Sequence, residues 1–338
     1  MSSSNLEIIN SDCIVIGGGI AGLIIATILQ RKGIKITVLD KGKDIGGRLA
    51  THSIDLEESK IGVFDSGIQY FSVDHPQFQP WVDDWLERGV IKKWCQGFGE
   101  IDDQPVYCGV EGMNGIAQYL AKDLNVCTDT EVVEISYEKK WLVETKGNIR
   151  YQGDMLVMTS AIPQSLSLLD ASFVAIPLEV RFALEKVEYD RRITILALLE
   201  KPSKIPAPGG MNLANKSLNN SLLWLGDNHQ KGISPGGYGV TIQATAQFSD
   251  EYWDSDEAEI VYKLITAAAD YLDSPVIKYE VHRWQYSLPT TSYNESCLGL
   301  LELPLVMAGD AFVTPTVGGA VTSALAAGQL VCQRFGVN

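Results

Sequence analysis

Within the first forty residues the sequence admits very few folds. Cys13–Ile16 is a short run of buried-strand type, and Gly17-Gly18-Gly19-Ile20-Ala21-Gly22 turns it into an apolar helical stretch that continues to about Arg31. Gly33 stops that helix, and Ile34–Leu39 forms a second strand ending at Asp40. Gly17, Gly19 and Gly22 satisfy the G-x-G-x-x-G spacing of a dinucleotide fingerprint. The first glycine permits a tight turn, the second lets the backbone approach a pyrophosphate, and the third lets helix and strand pack closely. Phosphates then sit at the helix N-terminus, where free N–H groups and the dipole favour anions. Asp40 lies 18 residues beyond Gly22, where an acid receives ribose hydroxyls. A merely flexible loop would not explain that placement. The residues expected to touch the dinucleotide here are Gly17, Gly19, Ile20, Ala21, Gly22, Asp40 and the adjoining Lys41.

Composition narrows the function classes. A chain of 338 residues can build two cores without disulfide or metal staples. With 27 basic and 42 acidic residues the net charge is −15, which argues against nucleic acid and anionic membrane surfaces as partners. The six cysteines (13, 95, 108, 127, 297 and 332) form no C-x-x-C pair, so no zinc site or dithiol centre is expected. Unpaired thiols fit a reducing cytosol, and the expected localisation is cytoplasmic. The first twelve residues have neither the basic flank nor the apolar core of a signal peptide. Cys13–Leu29 is apolar, but its glycines make it a strand–turn–helix rather than a membrane span. His52, His75, His229 and His282 show no spacing suited to a metal or a triad, so no metal is expected.

Further along, helical patterning returns at 80–88 and 115–124, and 131–137, 141–145 and 149–151 alternate as a β-meander before a buried strand at 154–159. Strands are expected at 189–199, 222–225, 239–248, 276–286 and 303–308, with helices at 255–272 and 318–335. Parallel elements at both ends with antiparallel strands between them predict an α/β fold. A Rossmann-type nucleotide domain, split in sequence over 1–75, 113–165 and 290–338, is interleaved with an α+β substrate domain on an antiparallel sheet over 76–112 and 166–289. Only one complete fingerprint exists, because Gly97-x-Gly99 and Gly236-Gly237-x-Gly239 neither complete the pattern nor open a helix. Two separate dinucleotide domains are therefore not expected.

The residues after Asp40 point to the identity of the dinucleotide. Lys41-Gly42-Lys43-Asp44-Ile45-Gly46-Gly47-Arg48 resembles the G-G-R segment of the flavin amine oxidase superfamily, in which the arginine meets the pyrophosphate of FAD. A planar guanidinium beside two glycines suits bidentate phosphate contact. Phe64-Asp65-Ser66-Gly67-Ile68-Gln69-Tyr70-Phe71 and Val106-Tyr107-Cys108-Gly109-Val110-Glu111-Gly112-Met113 resemble motifs of the renalase branch. So do Asp154–Pro163 with Gln164, the loop Gly226–Lys231, and His282-Arg283-Trp284-Gln285-Tyr286. Ala308-Gly309-Asp310 followed by Gly318-Gly319-Ala320-Val321 resembles the C-terminal flavin motif. The likeness covers nearly the whole chain in one order. It departs at Thr316-Val317, where renalases often carry an acid, and in the loop after Asp227, which lacks their usual S-K-P order.

The resemblance implies non-covalent FAD held also by Gly47, Arg48, Val133, Gly309, Asp310, Gly319, Ala320 and Val321. The amides of Gly319, Ala320 and Val321 would face the flavin pyrimidine, where a helix N-terminus stabilises negative charge. The backbone of Val133 would meet the adenine, unless Val133 is an ordinary core valine. Gln69 and Tyr70 would lie beside the flavin ring, and Trp284 would line the pocket or pack in the core. Arg283 would then point to the opposite face of its strand. Cys297 is read as a plain thiol. No general base is inferred, since hydride transfer mainly needs alignment. The expected activity is a renalase-type oxidase that takes hydride from 2- or 6-dihydro isomers of NAD(P)H and passes electrons to O2, giving hydrogen peroxide. The alternatives are a flavin-dependent amine oxidase and a non-enzymatic redox sensor.

Overall fold

The computed structural model describes residues 8–56, 60–98, 104–214, 220–300 and 302–337. The extreme N-terminus, Gly99 and part of the loop expected at 201–220 lie outside the described residues. A six-stranded sheet runs in the order 298–299, 305–307, 155–158, 13–16, 36–39, 126–127, with every pair parallel except the first. Its residues alternate between two cores, as a sheet covered on both faces requires. Cys13, Val15, Val38, Val157 and Val306 face one core, which the helices Ile20–Arg31, Asn114–Ala121 and Val317–Arg334 complete. Ile14, Leu39, Leu156, Met158, Leu305 and Met307 face the other, closed by the meander strands Val132–Tyr137, Trp141–Thr145 and Arg150–Gly153 and the helix Ile162–Ala171.

The C-terminal helix is rich in alanine and glycine because it lies directly on the fingerprint helix. A Cβ at Gly328 would stand 3.0 Å from Ile28 Cδ1, so small side chains set the approach of the two helices.

The second sheet has five antiparallel strands in the order Gly210–Asn212, Leu222–Asp227, Tyr238–Ala244, Tyr189–Leu199, Val276–Pro289. Ile193, Ile195, Ala197 and Leu199 face the helix Glu257–Leu272. Leu196 and Leu198, on the opposite face, meet Ile54 and Phe64 of a hairpin, Thr51–Leu56 with Lys60–Asp65. The sequence pattern alone does not reveal this hairpin. A small sheet of Phe71–Ser72, Val106–Gly109 and Ile91–Cys95 completes the covering part. The strand expected at 239–248 stops at Ala244 because Thr245 caps a new helix, Ala246–Glu251, its Oγ1 accepting from Phe248 N at 3.2 Å. Among the described residues no helix is long and apolar enough to cross a membrane.

Two glycines of the fingerprint are sterically obligatory. Gly17 has φ of +111°, which L side chains rarely adopt, and a Cβ at Gly22 would lie 2.0 Å from Gly17 O. Gly115, in the helix Asn114–Ala121, has open space at that position. Gly22→Ala is therefore expected to destabilise the apoprotein by about 1–3 kcal/mol or more, whereas Gly115→Ala stabilises it by up to about 1 kcal/mol. Urea denaturation of both variants checks this. Equal midpoints would contradict the close strand–helix approach.

Candidate active site

The βαβ unit presents an open cradle. The helix Ile20–Arg31 begins at Gly19 with no side-chain cap and no acid in its first turn, and a Cβ at Gly19 would meet nothing within 4 Å. Ile20 and Ala21 are buried behind it. Asp40 comes directly after the strand Ile36–Leu39, and its carboxylate accepts from Gly18 N at 2.5 Å and Gly42 N at 2.7 Å, which fixes the turn. Gly46 N donates to Gly18 O at 2.9 Å, and Gly47 packs over Gly19. The G-G-R loop thus lies against the fingerprint turn, while Lys41 is exposed. Val133 is not a core valine: it is 44% exposed and sits in a β-bulge between Val132 and Glu134, outside the ladder. Open space, unpaired helical N–H groups, a bulged strand and an adjoining guanidinium fit the phosphates and adenosine of FAD.

Arg48 and Asp310 are brought together from opposite ends of the chain. Arg48 Nη1 donates to Asp310 Oδ2 at 2.7 Å and Nη2 to Oδ1 at 2.6 Å, a bidentate pair. Arg48 Nη1 also donates to Ser287 O at 3.0 Å. Burial works against the guanidinium charge, but Asp310 more than offsets it and holds the Arg48 pKa above its ordinary value. Gly309 is fixed by its N–H donating to Ser323 Oγ at 3.0 Å.

The terminal helix corrects one expectation. Thr316 Oγ1 accepts from Gly319 N at 2.9 Å, Ala320 N bonds to Thr316 O at 3.0 Å, and Val321 lies inside the helix. Those three amides are therefore committed within the helix, and the ones left over at its N-terminus belong to Val317 and Gly318. The signal for this cap is the position of Thr316 just before the glycines, which the family motif masks. Its hydroxyl also donates to Asp74 Oδ2 at 2.5 Å.

Beyond the hairpin, Gln69 and Tyr70 lie side by side in the chain, and Trp284 meets the same segment at Ser66. Gln69 is buried, and its Nε2 donates to Asp65 O at 2.6 Å and Gly67 O at 3.1 Å, while its Oε1 has no partner. Trp284 Nε1 donates to Ser66 O at 3.2 Å. Arg283 points the other way, to Trp253 O and Ser255 O. Tyr70 joins an aromatic cluster that sequence reasoning missed, with ring centroids 4.9 Å from Phe98, 5.2 Å from Trp224 and 6.3 Å from Trp94. Trp224 Nε1 is a second buried atom without a partner, and with Gln69 Oε1 it flanks Gly226.

A buried ion pair underlies these residues. Lys231 Nζ donates to Asp65 Oδ2 and to Gln69 O, both at 2.5 Å, with neither charged side chain exposed. Asp65 Oδ1 accepts from Thr51 Oγ1 at 2.6 Å and Met113 N at 2.8 Å. Both residues lie in segments singled out by their motifs, but nothing in the sequence paired them. The histidines take local roles: His75 meets Thr314 Oγ1, His229 meets Ser234 O, and His52 packs against His282 with tilted rings whose centroids are 4.3 Å apart. Among the described residues no group of three His, Cys, Asp or Glu is arranged to hold a metal. Cys297 is a half-buried free thiol whose pKa is raised by burial and by Glu295.

Arg48→Ala is expected to weaken FAD binding about ten- to a hundred-fold, the loss of a charge-assisted phosphate contact worth about 1.5–3 kcal/mol. Spectral titration of the apoprotein measures it, and wild-type affinity in a folded variant would end the assignment of Arg48 to the pyrophosphate. Lys231→Met leaves Asp65 buried and unpaired, so a loss of about 3–5 kcal/mol in unfolding free energy is expected. A loss below about 1 kcal/mol would show that the carboxylate is otherwise satisfied.

Three solved structures share this architecture. A putative protoporphyrinogen oxidase from Exiguobacterium sp. 255-15 superposes with a TM-score of 0.71 at 14% identity, covering 99% of this chain and 100% of that one. Putrescine oxidase bound to putrescine gives 0.68 at 12% identity, over 97% of this chain and 99% of that one. A fatty acid isomerase from P. acnes that produces CLA gives 0.67 at 13%, again over 97% and 99%. Residues 15–85 match the NAD(P)-binding Rossmann-like domain, and residues 91–334 match the flavin containing amine oxidoreductase model. With that match over most of its length, the chain belongs to the flavin containing amine oxidoreductase family and is an FAD-dependent oxidoreductase.

Proposed function

We propose that the protein is a renalase-type oxidase that converts 2- and 6-dihydro isomers of NAD(P)H to NAD(P)+. The observation that carries this reading is the commitment of Asp65. Its backbone carbonyl holds Gln69 Nε2, and its carboxylate oxygens are taken by Lys231, Thr51 and Met113 N. Among the described residues a cationic amine would find aromatic faces here but no uncommitted anion to balance it. A neutral dihydropyridine ring needs a flat apolar slot and amide partners, which Tyr70, Trp224, Trp284 and the orphaned Gln69 Oε1 supply.

Bound FAD supplies a two-electron acceptor that can be reoxidised by O2. The chain's own residues do the rest. The aromatic faces hold the ring and exclude water, and Gln69, fixed through Asp65 O and Gly67 O, orients it. A hydride leaves the saturated ring carbon as aromaticity is restored, so no strong base is needed. Overall, the dihydro-nicotinamide, one proton and O2 give NAD(P)+ and hydrogen peroxide. The substrate, its acceptor and the roles of Gln69, Tyr70 and Trp284 all belong to this proposal.

Anaerobic mixing of the holoenzyme with each candidate substrate tests it. The 2- and 6-dihydro isomers are expected to bleach the flavin rapidly, with peroxide formed when air is admitted. Ordinary 4-dihydro NAD(P)H should react much more slowly, because its reactive carbon lies elsewhere on the same ring. Rapid bleaching by a primary amine or polyamine, with no response to the isomers, would replace this reading with amine oxidation.

A further inference from the structure

Beside the aromatic cluster lies a cavity of about 410 Å³ lined by Lys92, Lys93 and Lys231 with Trp94, Pro208 and Gln230. Its volume is in the range of small-molecule sites. In a chain of net charge −15, three lysines lining one cavity with no acidic side chain among its described lining residues are a local inversion of sign. The three are not equivalent. Lys231 is neutralised by Asp65, whereas Lys93 Nζ donates to the neutral Gln96 Oε1 at 2.5 Å. Lys92 Nζ lies over the backbone of Gly232, which ends the short helix Asn228–Lys231. Among the described residues no carboxylate pairs with Lys92 or Lys93. Both Lys92 and Lys93 lie on the strand Ile91–Cys95, whose register against Val106–Gly109 shifts just after them, between Lys93 and Cys95.

Two links join this cavity to the reaction site. Trp94 is shared between the cavity wall and the cluster around Tyr70, its Nε1 spent on Pro208 O at 2.9 Å so that it offers only ring faces. Lys231 contributes to the lining and holds the backbone of Gln69. We propose that Lys92 and Lys93 form an anion subsite that receives the phosphate groups of a dinucleotide substrate while its ring enters the aromatic cluster. The proposal rests on the dihydro-nicotinamide reading and adds the means of its selectivity. Ammonium groups at an open hollow attract phosphate and repel organic cations, and with Lys93 exposed the effect weakens as salt rises.

The test uses the holoenzyme, in which the cofactor's own phosphate site is filled, and the double variant Lys92→Gln/Lys93→Gln. Its first readout is the ratio of kcat/KM for 6-dihydro-NAD to that for the phosphate-free 6-dihydro-nicotinamide riboside. That ratio is expected to fall about tenfold or more in the variant, the worth of one or two charge-assisted contacts. An unchanged ratio overturns the subsite and leaves the proposed oxidase activity standing. The second readout is calorimetric titration with inorganic pyrophosphate, expected to bind the wild-type holoenzyme and to bind the variant at least about tenfold more weakly. If no dihydro-nicotinamide is oxidised but pyrophosphate still binds through these lysines, the oxidase reading falls and the subsite stands. If neither oxidation nor lysine-dependent binding is seen, both fall.

Discussion

The buried contact between Lys231 and Asp65 is the constraint around which the two halves of the molecule are arranged. Asp65 ends the hairpin that comes after the G-G-R loop, and Lys231 ends the short helix after the second strand of the five-stranded sheet. With no exposure on either side chain, each charge depends on the other for its solvation. Such a pair adds little net stability over a well-packed apolar one, but removing either partner is costly. Its effect is therefore to fix a single arrangement. Thr241 Oγ1 and Gln69 Nε2 both donate to Asp65 O, so the same residue aligns the sheet and the Gln69–Tyr70 segment.

Arg48 and Asp310 form a second long-range pair with a different character. Arg48 is about a third exposed and lies beside the cradle, so its charge remains within reach of a ligand. Its guanidinium is shared between Asp310 and Ser287 O. A pyrophosphate at the fingerprint turn would share a donor that already neutralises a buried carboxylate. Cofactor binding therefore draws on the contact that joins the N-terminal loop to the C-terminal motif, and occupancy of the cradle should be felt at both ends of the chain.

How much of this is legible in the sequence depends on the range of the interaction. The βαβ start, with its glycines and Asp40, reads directly because each feature is local: a strand period, a turn, a helix stop. The C-terminal helix and most strands of the five-stranded sheet are visible for the same reason. The hairpin at Thr51–Asp65 is hidden because its apolar residues, Ile54 and Phe64, are recognisable as buried only against Leu196 and Leu198 of another sheet. Lys231 reads as a solvated lysine until its partner, 166 residues away in sequence, is known. The expected amides of Gly319, Ala320 and Val321 fail on a local detail, the threonine cap that shifts the free donors toward Val317 and Gly318.

The segment from Gly46 to Tyr70 couples the cradle to the substrate side. It begins against Gly18 and Gly19, crosses the hairpin, and ends at Asp65, Gln69 and the aromatic cluster. Three bonds tie it to the strand Val276–Pro289: Arg48 reaches Ser287 O, Trp284 reaches Ser66 O, and Lys278 reaches Asp55 O. The strand and the segment thus hold each other along their length. Ser287 and Trp284 stand three residues apart on that strand, so one element holds both Arg48 and Ser66. Neighbours of this fold named for porphyrinogen, putrescine and fatty acid chemistry share the scaffold at 12–14% identity, so the scaffold alone does not choose a substrate. In this chain an aromatic cluster with two unpartnered polar atoms, Gln69 Oε1 and Trp224 Nε1, adjoins a lysine-lined cavity through Trp94.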